Sequence, residues 1–137
     1  MEIRSLSLKN DIVTINALYS RAGIRLDRAV TAVYGAYEGE KLLALGGIAG
    51  NAIRSLAVEP SHQGEGILPA LVSHLYQTMK DDGVSNVFVV TKPRYAPLFS
   101  SLCFNELAQT ADAVLLESSN RAFSRYLASL PKADGAI

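Results

Sequence analysis

Residues 62–72 read HQGEGILPALV, two glycines set against the start of an apolar run with helical spacing. A glycine pair lets consecutive N–H groups point the same way and lets a ligand approach the main chain. If a helix begins at Ile67, its first turn offers N–H groups with no intrahelical partner and about half a unit of positive charge. That arrangement suits an anion, a pyrophosphate above all. The candidate binding residues are Gln63, Gly64, Glu65, Gly66, Ile67 and Leu68, preceded by the strand Leu56-Ala57-Val58 and a loop from Glu59 onward. The same glycines also fit a plain strand-to-helix turn. His62 stands inside the loop, within reach of a phosphate. Lys92, Arg94 and Tyr95 form a basic and aromatic group after a strand, read either as a solvated loop or as a contact for a ribose phosphate or an acidic partner.

The elements that must position this loop follow from periodicity. A short strand is expected over 2–5, then a helix capped by Asn10 or Asp11, with Ile12, Ile15, Leu18 and Tyr19 at helical spacing and Gly23 at its end. Segments 31–37, 41–48 and 52–58 read as strands joined at Glu38-Gly39-Glu40 and Gly50-Asn51, an antiparallel meander. From Ile67 the period changes: Leu68, Leu71, Val72, Leu75, Tyr76 and Met79 share one helical face. Pro69 is tolerated there because first-turn N–H groups have no bond to lose. Gly83 ends that helix. A buried strand over 84–91, a short helix over 95–102, strands over 104–107 and 113–116, and a last helix over 120–130 complete an α/β or α+β protein.

The length of 137 residues predicts one domain, and 13 basic against 13 acidic residues leave no charge excess that favours nucleic acid or an acidic membrane. The opening MEIRSLSLKND has no signal-peptide apolar stretch, and the run 42–50 is too short to cross a bilayer. One cysteine and two histidines, His62 and His74, make no metal array, so no metal is expected. A lone thiol fits a reducing cytoplasm. Cys103 reads as a small buried hydrophobe and His74 as a solvated residue. Tyr19, Tyr34, Tyr37, Tyr76 and Tyr126 read as packing residues whose hydroxyls reach the surface.

The pattern Gln63-Gly64-Glu65-Gly66-Ile67-Leu68 resembles the acyl-CoA-binding segment of the GNAT acetyltransferase superfamily, [R/Q]-x-x-G-x-[G/A], with Leu68 in place of a small residue. Leu98-Phe99-Ser100-Ser101-Leu102-Cys103-Phe104 resembles a second family landmark, L-Y-x-x-x-G-F. The resemblance implies a mixed central sheet flanked by helices over 1–130. It also implies that Leu56, Ala57 and Val58 pair with the pantetheine amides of acetyl-CoA while Gln63–Leu68 hold the pyrophosphate. The family's usual acid is the tyrosine of the second landmark, and Phe99 stands there. Its usual base is a glutamate on the strand before the loop, and residues 51–58 contain no acid. Glu59 is the remaining candidate base, weighed against a solvated loop residue with no partner in view.

A thiol acceptor relaxes this demand, since its pKa of about 8.5 lies nearer neutrality than an alkylammonium's. Gly46-Gly47-Ile48-Ala49-Gly50-Asn51, the glycine loop and Thr91-Lys92 are similar to the amino-terminal domain of the citrate lyase ligases, and Asp134-Gly135-Ala136-Ile137 resembles the opening of their next domain. Segment 131–137 is therefore expected to be a linker or the start of a further domain. That resemblance implies binding of acetyl-CoA or a dephospho-CoA-derived group, and acetyl transfer to a thiol on the citrate lyase acyl-carrier subunit. It implies ATP use only through a domain outside this chain, because neither His62 nor His74 belongs to an H-x-G-H motif. Two alternatives stay open: a non-catalytic module that binds a CoA arm, and a stand-alone N-acetyltransferase acting on a small amine.

Overall fold

A computed structural model describes residues 1–118, 126 and 128–131. Seven strands, β1 (Glu2–Leu6), β2 (Ala32–Glu38), β3 (Lys41–Ala49), β4 (Ala52–Val58), β5 (Phe88–Thr91), β6 (Asn105–Gln109) and β7 (Val114–Glu117), form one sheet in the order β1-β2-β3-β4-β5-β7-β6. The first four are an antiparallel meander, β5 runs parallel to β4, and β7 and β6 continue antiparallel. Helix α1 (Ile12–Ala22) follows β1, α2 (Ile67–Asp81) is the crossover between β4 and β5, and α3 (Ala96–Ser101) follows β5. Among the described residues no helix is long and apolar enough to cross a membrane.

The helices cover the two faces of the sheet. Ile15, Leu18 and Tyr19 of α1 pack with Val33, Leu45 and Ala57. Leu71, Leu75 and Met79 of α2 pack with Leu43, Ile53, Leu56, Val89 and Phe99. This double cover explains why β3 and β4 are apolar almost throughout rather than alternating. The approach of α2 depends on Gly46, where a Cβ would lie 2.7 Å from Leu75 Cδ1 and 3.0 Å from Leu56 Cδ2. A side chain there requires the Leu75 and Leu56 side chains to move.

Four expectations need correcting. The buried strand expected over 84–91 starts at Phe88. Val87 is fully buried but precedes the ladder, accepting at its carbonyl from Ser118 N at 2.9 Å. Cys103 is exposed, with φ of 65°; the chain turns left-handed after α3, which carries its side chain outward and accounts for a glycine preference at this slot. Tyr19 does not present its hydroxyl to solvent: the ring is 2% exposed and the O–H donates to Ser55 O at 2.7 Å. Burial pushes that phenol well above its ordinary pKa. Asp11 occupies the N-cap of α1 without a side-chain cap bond; its Oδ2 accepts instead from Ser7 N at 2.7 Å. The helix expected over 120–130 lies mainly outside the described residues, and the segment expected as a linker over 131–137 does so beyond Pro131.

Candidate functional site

The local design begins with an irregularity in β4. Between the pairs Leu45↔Ala57 and Gly47↔Arg54, β4 spends one residue more than β3, and Ser55 takes φ of 53°. Such a bulge bends its strand and ends regular pairing. On the other side, β4 pairs with β5 only at Ala52↔Phe88 and Ile53↔Val89. Beyond those two pairs the ladder stops, so among the described residues the stretch from Leu56 to Val58 has no strand partner on its β5 side. An open edge of this kind offers N–H and C=O groups to an extended ligand.

Two cavities lie along this part of β4, one lined by Leu56 and the other by Val58. On the α2 side lies a cleft of about 350 Å³ lined by Val58, residues 62–69, Arg94, Tyr95, Pro97 and Leu98. Its floor is the N-terminus of α2, where Gly66 is the N-cap with φ of 77° and Gly64 has φ of 79°. Among the described residues no side chain caps this end, and its first turn holds no acid. A Cβ added to either glycine would meet no protein atom within 4 Å, so the space beside the main chain is open to a ligand. The unbonded first-turn donors are the N–H groups of Gly66, Ile67 and Leu68, since Pro69 has none. The structure thus gathers Val58 and Gln63 to Leu68 around one cleft; Leu56 lies two residues back at the gap, and fully buried Ala57 pairs with Leu45.

Side chains stiffen the loop. Gln63 Nε2 donates to Val58 O at 3.0 Å and to Tyr95 Oη at 3.2 Å, tying β4 to the segment before α3. His62 Nε2 is 3.0 Å from Lys41 Nζ and its Nδ1 is 3.1 Å from Glu65 Oε1. An ammonium only donates, so Nε2 accepts from Lys41 and Nδ1 carries the proton offered to Glu65. Leu68, the departure from a small residue, is 3% exposed and lines the cleft.

Glu59 is not a solvated, unpartnered residue. Arg21 of α1 holds it through Nε at 3.1 and 3.0 Å and Nη2 at 2.7 Å, and its side chain is 14% exposed. The guanidinium keeps the carboxyl below its usual range. Glu59 lines a separate depression with Arg21, Lys41 and Ser61 rather than either cavity at the gap. Phe99 is fully buried, edge-on to Phe104 at 5.6 Å. Lys92, Arg94 and Tyr95 do not act as one group: Lys92 lines the second cavity, whereas Arg94 and Tyr95 line the cleft. His74 is exposed, 5.7 Å from the Tyr34 ring.

The second cavity, of about 200 Å³, lies on the α1 side of the gap. Its walls include Arg25 and Asp27 after α1, Arg54 to Leu56 of β4, Val90 to Lys92, and Asp112. Ser55 organises it: Oγ donates to Arg25 O at 3.0 Å and accepts from Asp27 N at 2.9 Å. Arg54 Nη1 pairs with Asp27 Oδ2, and Ala29 N donates to Asp27 Oδ1 at 2.8 Å. That N–H, and then Arg54, hold the Asp27 carboxyl below its ordinary pKa. None of this network was predicted from sequence. The available signal was the polar pair Arg54-Ser55 inside an otherwise apolar strand, together with the threonine that ends Val89-Val90-Thr91.

Comparison with known proteins agrees with this geometry. The acetyltransferase (GNAT) family model matches residues 11–97. The citrate (pro-3S)-lyase ligase of Klebsiella pneumoniae is 40% identical over 92 residues, a match covering 66% of this chain and 27% of that protein. The matched chain thus spans only about a quarter of that curated relative's length. The ribosomal-protein-S18-alanine N-acetyltransferase of Escherichia coli superposes with a TM-score of 0.67 at 19% identity, covering 85% of this chain and 92% of that one. The PaiA N-acetyltransferase of Thermoplasma acidophilum, solved in complex with coenzyme A, gives 0.61 at 15% identity, covering 86% and 99%. From α1, through the bulged strand and the glycine turn, to the start of α3, the chain belongs to the GNAT acetyltransferase family.

Proposed function

We propose that the cleft holds a CoA-type arm, acetyl-CoA or a dephospho-CoA-derived group, and that the chain serves acetyl transfer to a thiol as the GNAT part of a citrate lyase ligase. The observation that carries this reading is the open β4 edge, whose Val58 lines one cleft with an uncapped helix N-terminus and two left-handed glycines. The turn from Gln63 to Leu68 receives the diphosphate on its main-chain N–H groups. Leu56 to Val58 hydrogen-bond the amides of the arm as a neighbouring strand would. Leu68 and Leu98 give the cleft an apolar wall. When bound, such an arm supplies its terminal thiol or thioester, the group through which acetyl passes.

The chain's own residues fit a thiol better than an ammonium. Phe99 has no proton to give, and Glu59, paired with Arg21, is a weak base that anchors the start of the loop to α1. A thiol needs little help to ionise near neutral pH. The identity with the Klebsiella ligase supports the citrate lyase acyl-carrier subunit as the thiol's carrier. The coenzyme A complex of the Thermoplasma relative supports the arm. Activation of acetate by ATP falls to residues outside this chain.

The buried Phe99 and the engaged Glu59 equally favour a second reading, a module that only docks the arm. Calorimetry with CoA and dephospho-CoA, followed by incubation with acetyl-CoA and a panel of amines and thiols, separates these readings. Tighter binding of dephospho-CoA with thiol turnover supports the ligase reading, and binding without turnover supports the docking module. Amine turnover would replace both with a stand-alone N-acetyltransferase.

A further inference from the structure

We propose that the cavity on the α1 side of the gap takes a compact oxyanion, a carboxylate or a phosphate, carried by the second substrate. The inference rests on the cleft being the seat of the CoA-type arm, and it names the chemistry of whatever meets the arm across the gap. With a volume of about 200 Å³, the cavity suits a group of a few heavy atoms rather than a bulky side chain.

Charge decides the sign of that group. Arg54 and Asp27 satisfy one another, and the second Asp27 oxygen is taken by Ala29 N–H, so this pair shapes the wall with little net field. Arg25 and Lys92 enter no ion pair among the described residues, and they approach from two walls, one after α1 and one after β5. Only Asp112, exposed at the end of the β6–β7 turn, opposes them. A cationic amine would meet a net positive lining here, whereas an oxyanion offsets it.

Thr91 lines the same cavity and is 6% exposed. Its side chain shares the sheet face of Val89 and of its partner Val114, which pack with α2, so Thr91 closes the gap without offering its hydroxyl to the guest. The wall is built rather than loose, because Ser55 holds the backbone of both Arg25 and Asp27.

The test is an amide NMR titration of the purified protein, first given CoA, with acetate, inorganic phosphate and ethylammonium as separate probes. Acetate or phosphate is expected to shift the amides of Ser55, Thr91 and Lys92, and ethylammonium to leave them still. The tighter anion identifies a carboxylate or a phosphate as the natural group. Replacing Arg25→Gln together with Lys92→Gln is expected to weaken the anion about tenfold, by removing charge-assisted bonds. The proposal is overturned if ethylammonium moves those amides while the anions do not, if anion shifts fall elsewhere, or if the double variant binds the anion as tightly as the parent. Failure of CoA itself to bind, read by calorimetry, would sink the reading of the cleft instead. The anion titration is then scored on the free protein at the same three amides.

Discussion

Thr91→Val gives the sharpest test of the physical reasoning, because it changes one atom's chemistry and almost nothing of its shape. Thr91 is 6% exposed, pairs with Val114 across β5 and β7, and carries a hydroxyl with no partner among the described residues. A buried unpaired hydroxyl costs about 1–3 kcal/mol, and the replacing methyl group is buried favourably in a strand where β-branched residues fit. The expected result is a gain of about 1–2 kcal/mol in unfolding free energy. For a domain of 137 residues that corresponds to a rise in Tm of roughly 3–8 °C. Urea denaturation followed by circular dichroism checks it, with an unchanged m-value showing that the unfolded state is not responsible. Thr91→Ser is the control: it keeps the hydroxyl, loses a buried methyl and should cost about 1 kcal/mol. A valine variant less stable than the parent would mean that the hydroxyl is bonded in the folded protein, and the reasoning from its isolation would fail.

Three further outcomes are expected. Gly66→Val forces a β-branched residue to φ of 77° into the space beside the helix N-terminus, and should remove measurable CoA binding in calorimetry while costing about 1–2 kcal/mol of stability; an unchanged affinity would move the diphosphate away from this turn. Cys103→Gly relieves a left-handed residue at φ of 65° and should raise stability in urea by about 1 kcal/mol. Glu59→Gln should lower Tm at neutral pH. Because Arg21 depresses the Glu59 pKa in the folded protein, the pair stabilises above the ordinary carboxylate pKa and is lost as pH falls through the depressed value, so the two Tm curves should converge in acid. Parallel curves down to that range would show that the pair contributes nothing.

Sequence reading did best where local chemistry and tertiary packing agree. β4 was bounded at Ala52 and Val58 as expected, because a Gly50-Asn51 turn precedes it and Pro60 follows closely. Helix α2 began at Ile67 for the same reason: the apolar period and the glycine N-cap point one way. Reading failed where a residue's meaning depends on a partner far along the chain. The run Val87-Phe88-Val89-Val90 announces burial, but burial at Val87 precedes the ladder. Glu59 looked solvated because Arg21 is 38 positions away. Lys92 and Tyr95 are near neighbours in sequence yet serve different cavities, because the chain turns at Pro93 between them. The left-handed Ser55, which opens the gap, has no signature in composition or spacing at all.

The narrow join between β4 and β5 has a consequence for the molecule as a whole. Among the described residues, two ladder pairs join the four-stranded meander to the three strands beyond it. Whatever lies along the vacant stretch of β4 also mends the seam, lending its own amides to the cohesion of the sheet. Resistance to heat and to proteases should then climb with the concentration of that guest, making the guest a structural member of the fold as well as its cargo.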